Sequence, residues 1–136
     1  MDKLNELLED FTWQNYKDIS DALSCFDDNM IDQEMMRQAT LYSYYYGLMS
    51  VAKRKMNNIQ IDIDEFMASL RKEAKSSTIQ KLTAKDLDDI VFSNKILRDK
   101  QKTLNDATFK YELLKGLVRS LEQKKDMLQQ VSANKR

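Results

Sequence analysis

The chain has 136 residues and no net charge at pH 7, which is enough for one domain with one core. The absence of proline, the presence of only two glycines and a charged fraction of 32% exclude a turn-rich sheet protein and point to long, solvated helices packed along narrow seams. A single cysteine, Cys25, and no histidine exclude an internal disulfide and a Cys/His metal cluster, so a reducing compartment, no metal and no cofactor are expected.

The first predicted helix runs from Asp2 to Phe11, with Leu4, Leu7, Leu8 and Phe11 on one face. It alternates acids with leucines and lacks the apolar core of a signal peptide. No apolar run approaches the roughly 18–20 residues that span a bilayer, so no membrane partner and a cytoplasmic location are expected. A second short helix is predicted from about Trp13 to Phe26, where Trp13, Tyr16, Ile19, Leu23 and Phe26 recur at helical spacing. Phe26–Asn29 reads as a connector, because Asp27, Asp28 and Asn29 are all capping residues.

From Ile31 to about Lys75 the pattern is one long helix. Its seam is Leu41, Tyr45, Leu48, Ala52, Met56, Ile59, Ile63, Phe66 and Leu70, a heptad pattern with one shift in phase. Three hydroxyl residues, Ser76, Ser77 and Thr78, interrupt it. Thr83 then reads as an N-cap answered by Asp86, a weak capping box. The spacing predicts one further helix over 84–131, with a seam of Leu87, Ile90, Asn94, Leu97, Gln101, Leu104, Thr108, Tyr111, Leu114, Val118, Leu121, Lys125 and Leu128.

Two long segments of similar length joined by a short break predict an all-α fold, a long antiparallel coiled-coil-like hairpin. The expected division is an acidic pair of short helices over 1–30 and a hairpin over 31–136. Its arms are 31–75 and 84–131, and its tip is 75–85. The polar seam residues Asn94, Gln101 and Thr108 select register and partner number at some cost in stability. A two-helix hairpin leaves apolar surface over, here Val91, Phe92, Phe109 and Leu117, so a homo-oligomer is expected. Tyr42, Tyr46, Leu114, Leu117, Val118 and Leu121 are its expected contacts between copies.

No catalytic constellation is present. Histidine is missing, no glycine-rich loop exists to cradle a phosphate, and the acids of "DIDE", Asp62 to Glu65, occupy successive helix positions and cannot converge. The chain is not expected to be an enzyme. The zero net charge conceals an asymmetry of −8 over residues 1–36 and +8 over 37–136, an acidic head on a basic body.

Leu41 to Met56, "LYSYYYGLMSVAKRKM", sets four tyrosines within five residues ahead of three consecutive bases. Two readings fit it: a helix with one buried and one solvated face, or an aromatic and basic surface for single-stranded nucleic acid. Tyr45 falls on the seam and reads as core, which leaves Tyr44 as the aromatic candidate for stacking. Lys53, Arg54, Lys55, Arg71, Lys72, Lys75, Lys81 and Lys85 are the candidate phosphate contacts. Several of these gather around the hairpin tip, where the hydroxyl residues add donors.

The segments "LYS" (Leu41–Ser43), "KRKMNNI" (Lys53–Ile59), "FMASLRKEA" (Phe66–Ala74), "LTAKDLDDI" (Leu82–Ile90) and "YELLKGLVRSLEQKKDMLQQ" (Tyr111–Gln130) together resemble the UvsY-type recombination mediators of tailed bacteriophages, over about residues 38–130. The resemblance implies a small helical homo-oligomer that binds single-stranded DNA and loads a RecA-like recombinase while a single-strand-binding protein is displaced. It places the DNA-contacting segment at Phe66–Ala74 and the protein in the host cytoplasm if it is phage-encoded. The competing expectation is a coiled-coil adaptor or scaffold that binds other proteins and no nucleic acid. The basic cluster of Lys53–Lys85 is the feature an adaptor does not need.

Overall fold

A computed structural model describes residues 2–23, 30–77 and 81–135 of the chain. Cys25, the connector expected at Phe26–Asn29, and Thr78 lie outside the described residues. Those described form five α-helices: α1 (Asp2–Asp10), α2 (Trp13–Leu23), α3 (Ile31–Ser76), α4 (Ala84–Phe92) and α5 (Lys95–Lys135). The fold is the expected all-α hairpin, with α3 packed against α5 and two short helices ahead of it. Its contacts form two compact units, one of residues 1–53 with 109–136 and one of residues 54–108.

In the first unit the apolar stripe of α3 meets that of α5. Tyr45, Leu48 and Ala52 pack with Leu114, Leu117, Val118 and Leu121, and Leu8 and Phe11 from the first helical segment complete the cluster. Burying each leucine contributes roughly 1.5–3 kcal/mol. A capping box begins α2: the Asn15 N–H donates to Thr12 Oγ1 at 3.3 Å, and the Thr12 N–H donates to Asn15 Oδ1 at 3.0 Å. Lys110 of α5 donates to the carbonyls of Leu8 and Glu9 at 2.7 and 3.3 Å. A cation thus meets the negative end of α1 and holds it against α5. Across the arms, Lys124 is 5% exposed and its Nζ lies 3.1 Å from Glu34 Oε1.

These contacts correct the expected interface between copies. Leu114, Leu117, Val118 and Leu121 are between 0 and 4% exposed inside a single chain. Because α1 covers the flank of α5 that a bare hairpin would leave open, none of the four is available to a second copy. The same packing buries Leu117 instead of leaving it over, and it shifts the seam from Lys125, which is exposed, to Lys124.

In the second unit the core is smaller. Ile63, Val91 and Leu97 are buried, and Ile59, Phe66, Met67, Leu70 and Leu104 pack around them. Lys100 bridges to Asp62 at 2.7 Å and sits 5.3 Å above the Phe66 ring. The capping box expected at Thr83 is present, with the Asp86 N–H donating to Thr83 Oγ1 at 3.1 Å and the Thr83 N–H to Asp86 Oδ2 at 3.2 Å.

The second arm is not the single helix predicted over 84–131. It breaks at Ser93 and Asn94, where Asn94 Oδ1 accepts the Leu97 N–H at 3.0 Å and caps α5. Asparagine competes well for such a role, a cap of this kind contributing about 1 kcal/mol. The break changes the phase of the seam. Val91, expected at the surface, is fully buried, whereas Ile90, expected in the seam, is 43% exposed. Phe92 and Phe109 remain exposed at 50% and 58%, as the leftover apolar surface requires.

Candidate nucleic-acid interface

The basic residues of the second unit are positioned by the end of α3 and the start of α4. Lys72 and Lys75 are three residues apart on α3 and share a face. Lys75 also lies in its last turn, where a cation is favoured by the helix dipole. Lys81 precedes the Thr83 cap, and Lys85 stands in the first turn of α4. All four are exposed, and none has an ion-pair or hydrogen-bond partner among the described residues.

Arg71 differs from its neighbours. Its Nη2 lies 3.3 Å from Asp88 Oδ1 on α4. The pair is solvent-exposed and worth at most about 1 kcal/mol, yet it engages the guanidinium with a carboxylate of α4. Of the residues placed around the tip by sequence, Lys72, Lys75, Lys81 and Lys85 remain as the open cationic set.

Lys53, Arg54 and Lys55 are exposed on α3 but belong to a separate stretch. About 26 Å of helix separates Lys55 from Lys72 at 1.5 Å per residue. Asp62, Asp64 and Glu65 are exposed along that interval, so the predicted cations do not form one continuous track.

The tyrosines lie in the first unit and divide by role. Tyr45 is core, 9% exposed, and burial raises its pKa above the ordinary tyrosine value, with Tyr44 adding to the shift. Tyr44 is 39% exposed and meets Tyr45 in a T-shaped contact at 4.8 Å between centroids. Tyr42, expected at an interface between copies, is engaged within its own chain instead. Its hydroxyl donates to Glu122 Oε1 at 3.1 Å, which raises its pKa, and its ring stacks on Tyr46 at 5.8 Å. Tyr46 stays 48% exposed.

Sequence reasoning missed Gln38. It sits three residues before Leu41, where the α3 seam continues backward, and that extension was the available signal. The residue is 3% exposed, and neither its amide nitrogen nor its oxygen has a hydrogen-bond partner among the described residues. It lines a pocket of about 190 Å³ with Met35, Ala39, Tyr42, Leu121, Lys125 and Leu128.

Among the described residues no group of three or more acids and cysteines converges as a metal site, and no helix is long and apolar enough to cross a membrane. Comparison of the chain with protein families, with curated proteins and with solved structures found no match.

Proposed function

We propose that the chain is a non-enzymatic, recombination-mediator-type protein. It binds single-stranded DNA as a homo-oligomer, loads a RecA-like recombinase on the strand and helps displace a single-strand-binding protein. The observation that supports this reading is the open set Lys72, Lys75, Lys81 and Lys85, in the last turns of α3 and at the start of α4. Four compact cations within fourteen residues of chain suit a flexible phosphate backbone and read no base sequence. One such site is weak, and repetition around an oligomer supplies avidity along the strand.

The contacts between copies would use the apolar side chains left exposed. Among these are Ile90, Phe92 and Ile96 in the second unit, at 43–57% exposure, and Tyr46 and Phe109 in the first. The same exposed side chains favour the second reading, an adaptor that uses them to hold another protein.

Anisotropy of a labelled oligo-dT, measured at low and at physiological salt, separates the two readings. A mediator binds at low salt, prefers the single strand over a duplex of equal length and weakens steeply as salt rises. No binding at low salt, or equal affinity for the duplex, leaves the adaptor.

A further inference from the structure

We infer that the far end of the hairpin in the first unit, residues 31–39 of α3 against 124–131 of α5, is a latch that opens while the leucine core stays closed. Its opening needs no nucleic acid. The inward positions of α3 run Ile31, Glu34, Gln38, Leu41 and Tyr45, at spacings of 3, 4, 3 and 4. Two in succession, Glu34 and Gln38, are polar, and Lys124 follows Leu121 on the buried stripe of α5. A polar layer therefore crosses the seam. Ile31 and Leu128 are both buried outside that layer, yet neither belongs to the apolar cluster built on Leu48 and Leu114. The leucine core ends at Leu121.

Each part of the layer weakens the closed form. The Gln38 amide nitrogen and oxygen are sealed from water and have no hydrogen-bond partner among the described residues. Both lose their bonds to water on closing and regain them on opening, so the closed form carries their desolvation cost. Lys124 buries a cation, with its Nζ 3.1 Å from Glu34 Oε1. Desolvation of the charges offsets much of the attraction within such a pair. Beside them the arms leave a space of about 190 Å³, lined in part by Met35, Ala39, Leu121 and Leu128. Side chains facing a gap lack contact atoms on that side and forfeit part of their dispersion attraction.

On the other side of the layer, Leu48, Leu114, Leu117 and Leu121 are sealed and pack in one cluster. Closure is strong there and weak at the far end, so the far end opens at a lower free energy than the whole unit. Simple fraying of a chain end differs from such a latch. Fraying would loosen the last turns of α5 alone, whereas a latch releases α3 and α5 together.

The test is amide hydrogen exchange of the full-length chain, followed by NMR across a range of urea below the unfolding transition. Amides of residues 36–39 and 124–128 should share one opening free energy, below that of residues 48–52 and 114–118. Its urea dependence should be shallow, because a local opening exposes little surface, while the core amides follow global unfolding. Gln38→Leu removes the sealed amide and should slow exchange on both arms of the latch about tenfold. Glu34→Gln leaves the buried Lys124 facing a neutral group and should speed exchange on both arms.

Exchange at 36–39 and 124–128 with the free energy and urea dependence of the core overturns the latch, since the end then opens only with the whole unit. Exchange at 124–128 that neither Gln38→Leu nor Glu34→Gln alters reduces the opening to fraying and overturns it as well.

Discussion

Leu114→Asp and Leu121→Asp are each expected to unfold the chain. Leu114 is fully buried and Leu121 is 1% exposed, and Leu→Ala at such sites already costs about 3–5 kcal/mol. Aspartate adds an unpaired charge in an apolar core. The total reaches most of the roughly 5–15 kcal/mol that stabilises a domain. Far-UV circular dichroism and urea titration should show helix lost without denaturant or a transition at much lower urea. The loss should not depend on protein concentration, because these leucines pack within one chain; recovery of native helix at high concentration would return them to an interface between copies. Ile96→Asp, at a side chain 57% exposed, is the control and should cost the monomer about 0.5 kcal/mol or less.

Replacing Lys72, Lys75, Lys81 and Lys85 together with glutamine should remove most of the affinity for oligo-dT. Each phosphate contact contributes about 0.7 to the slope of log affinity against log salt on a single strand, so four contacts account for a slope of about 3. At low salt that corresponds to a loss on the order of a thousandfold. Folding should stay within about 0.5 kcal/mol per site, since all four side chains are solvated. The same change at Lys95 and Lys102, exposed on α5, should alter the slope far less. A slope unchanged in the fourfold variant sinks the assignment of the site, even if affinity falls.

The α3 seam was legible because a single helix carries it: every residue from Leu41 to Leu70 read as apolar seam is buried or half-buried. The Thr83–Asp86 box was legible for a related reason, being a local contact three residues long. The Asn94 break was not, because the same residue in the same register suits a polar seam position and an N-cap equally. What decided it was the 3.0 Å bond to the Leu97 N–H. Periodicity also finds the buried stripe of α5 without showing how wide it is. Leu117 and Val118 are both buried because Leu8 and Phe11 pack into the same cluster from more than a hundred residues away. In the candidate site, only the chain positions and the helical segments of the lysines were readable. The pairing of Arg71 with Asp88, and the burial of Gln38 without a partner, depend on contacts between helices.

The polar pairings between the arms form a graded series in chain separation. Arg71 and Asp88 are 17 residues apart, Lys100 and Asp62 are 38, Tyr42 and Glu122 are 80, and Lys124 and Glu34 are 90. Closing the longest of these loops directly costs about 1.5 kcal/mol more entropy than closing the shortest. Assembly should therefore begin at the turn and zip outward, with each closed contact shortening the loop for the next. On this route the large leucine cluster forms last although it holds more buried side chains than the cluster of the second unit. Substitutions near the turn, at Val91 or Leu97, should slow folding, whereas those at Leu114 or Leu121 made mild enough to keep the fold, such as Leu→Val, should mainly speed unfolding. Stopped-flow chevrons that placed the high φ-values in the leucine cluster would reverse that order. The strength of the hairpin and the speed of its assembly are thus set at opposite ends of its contact map.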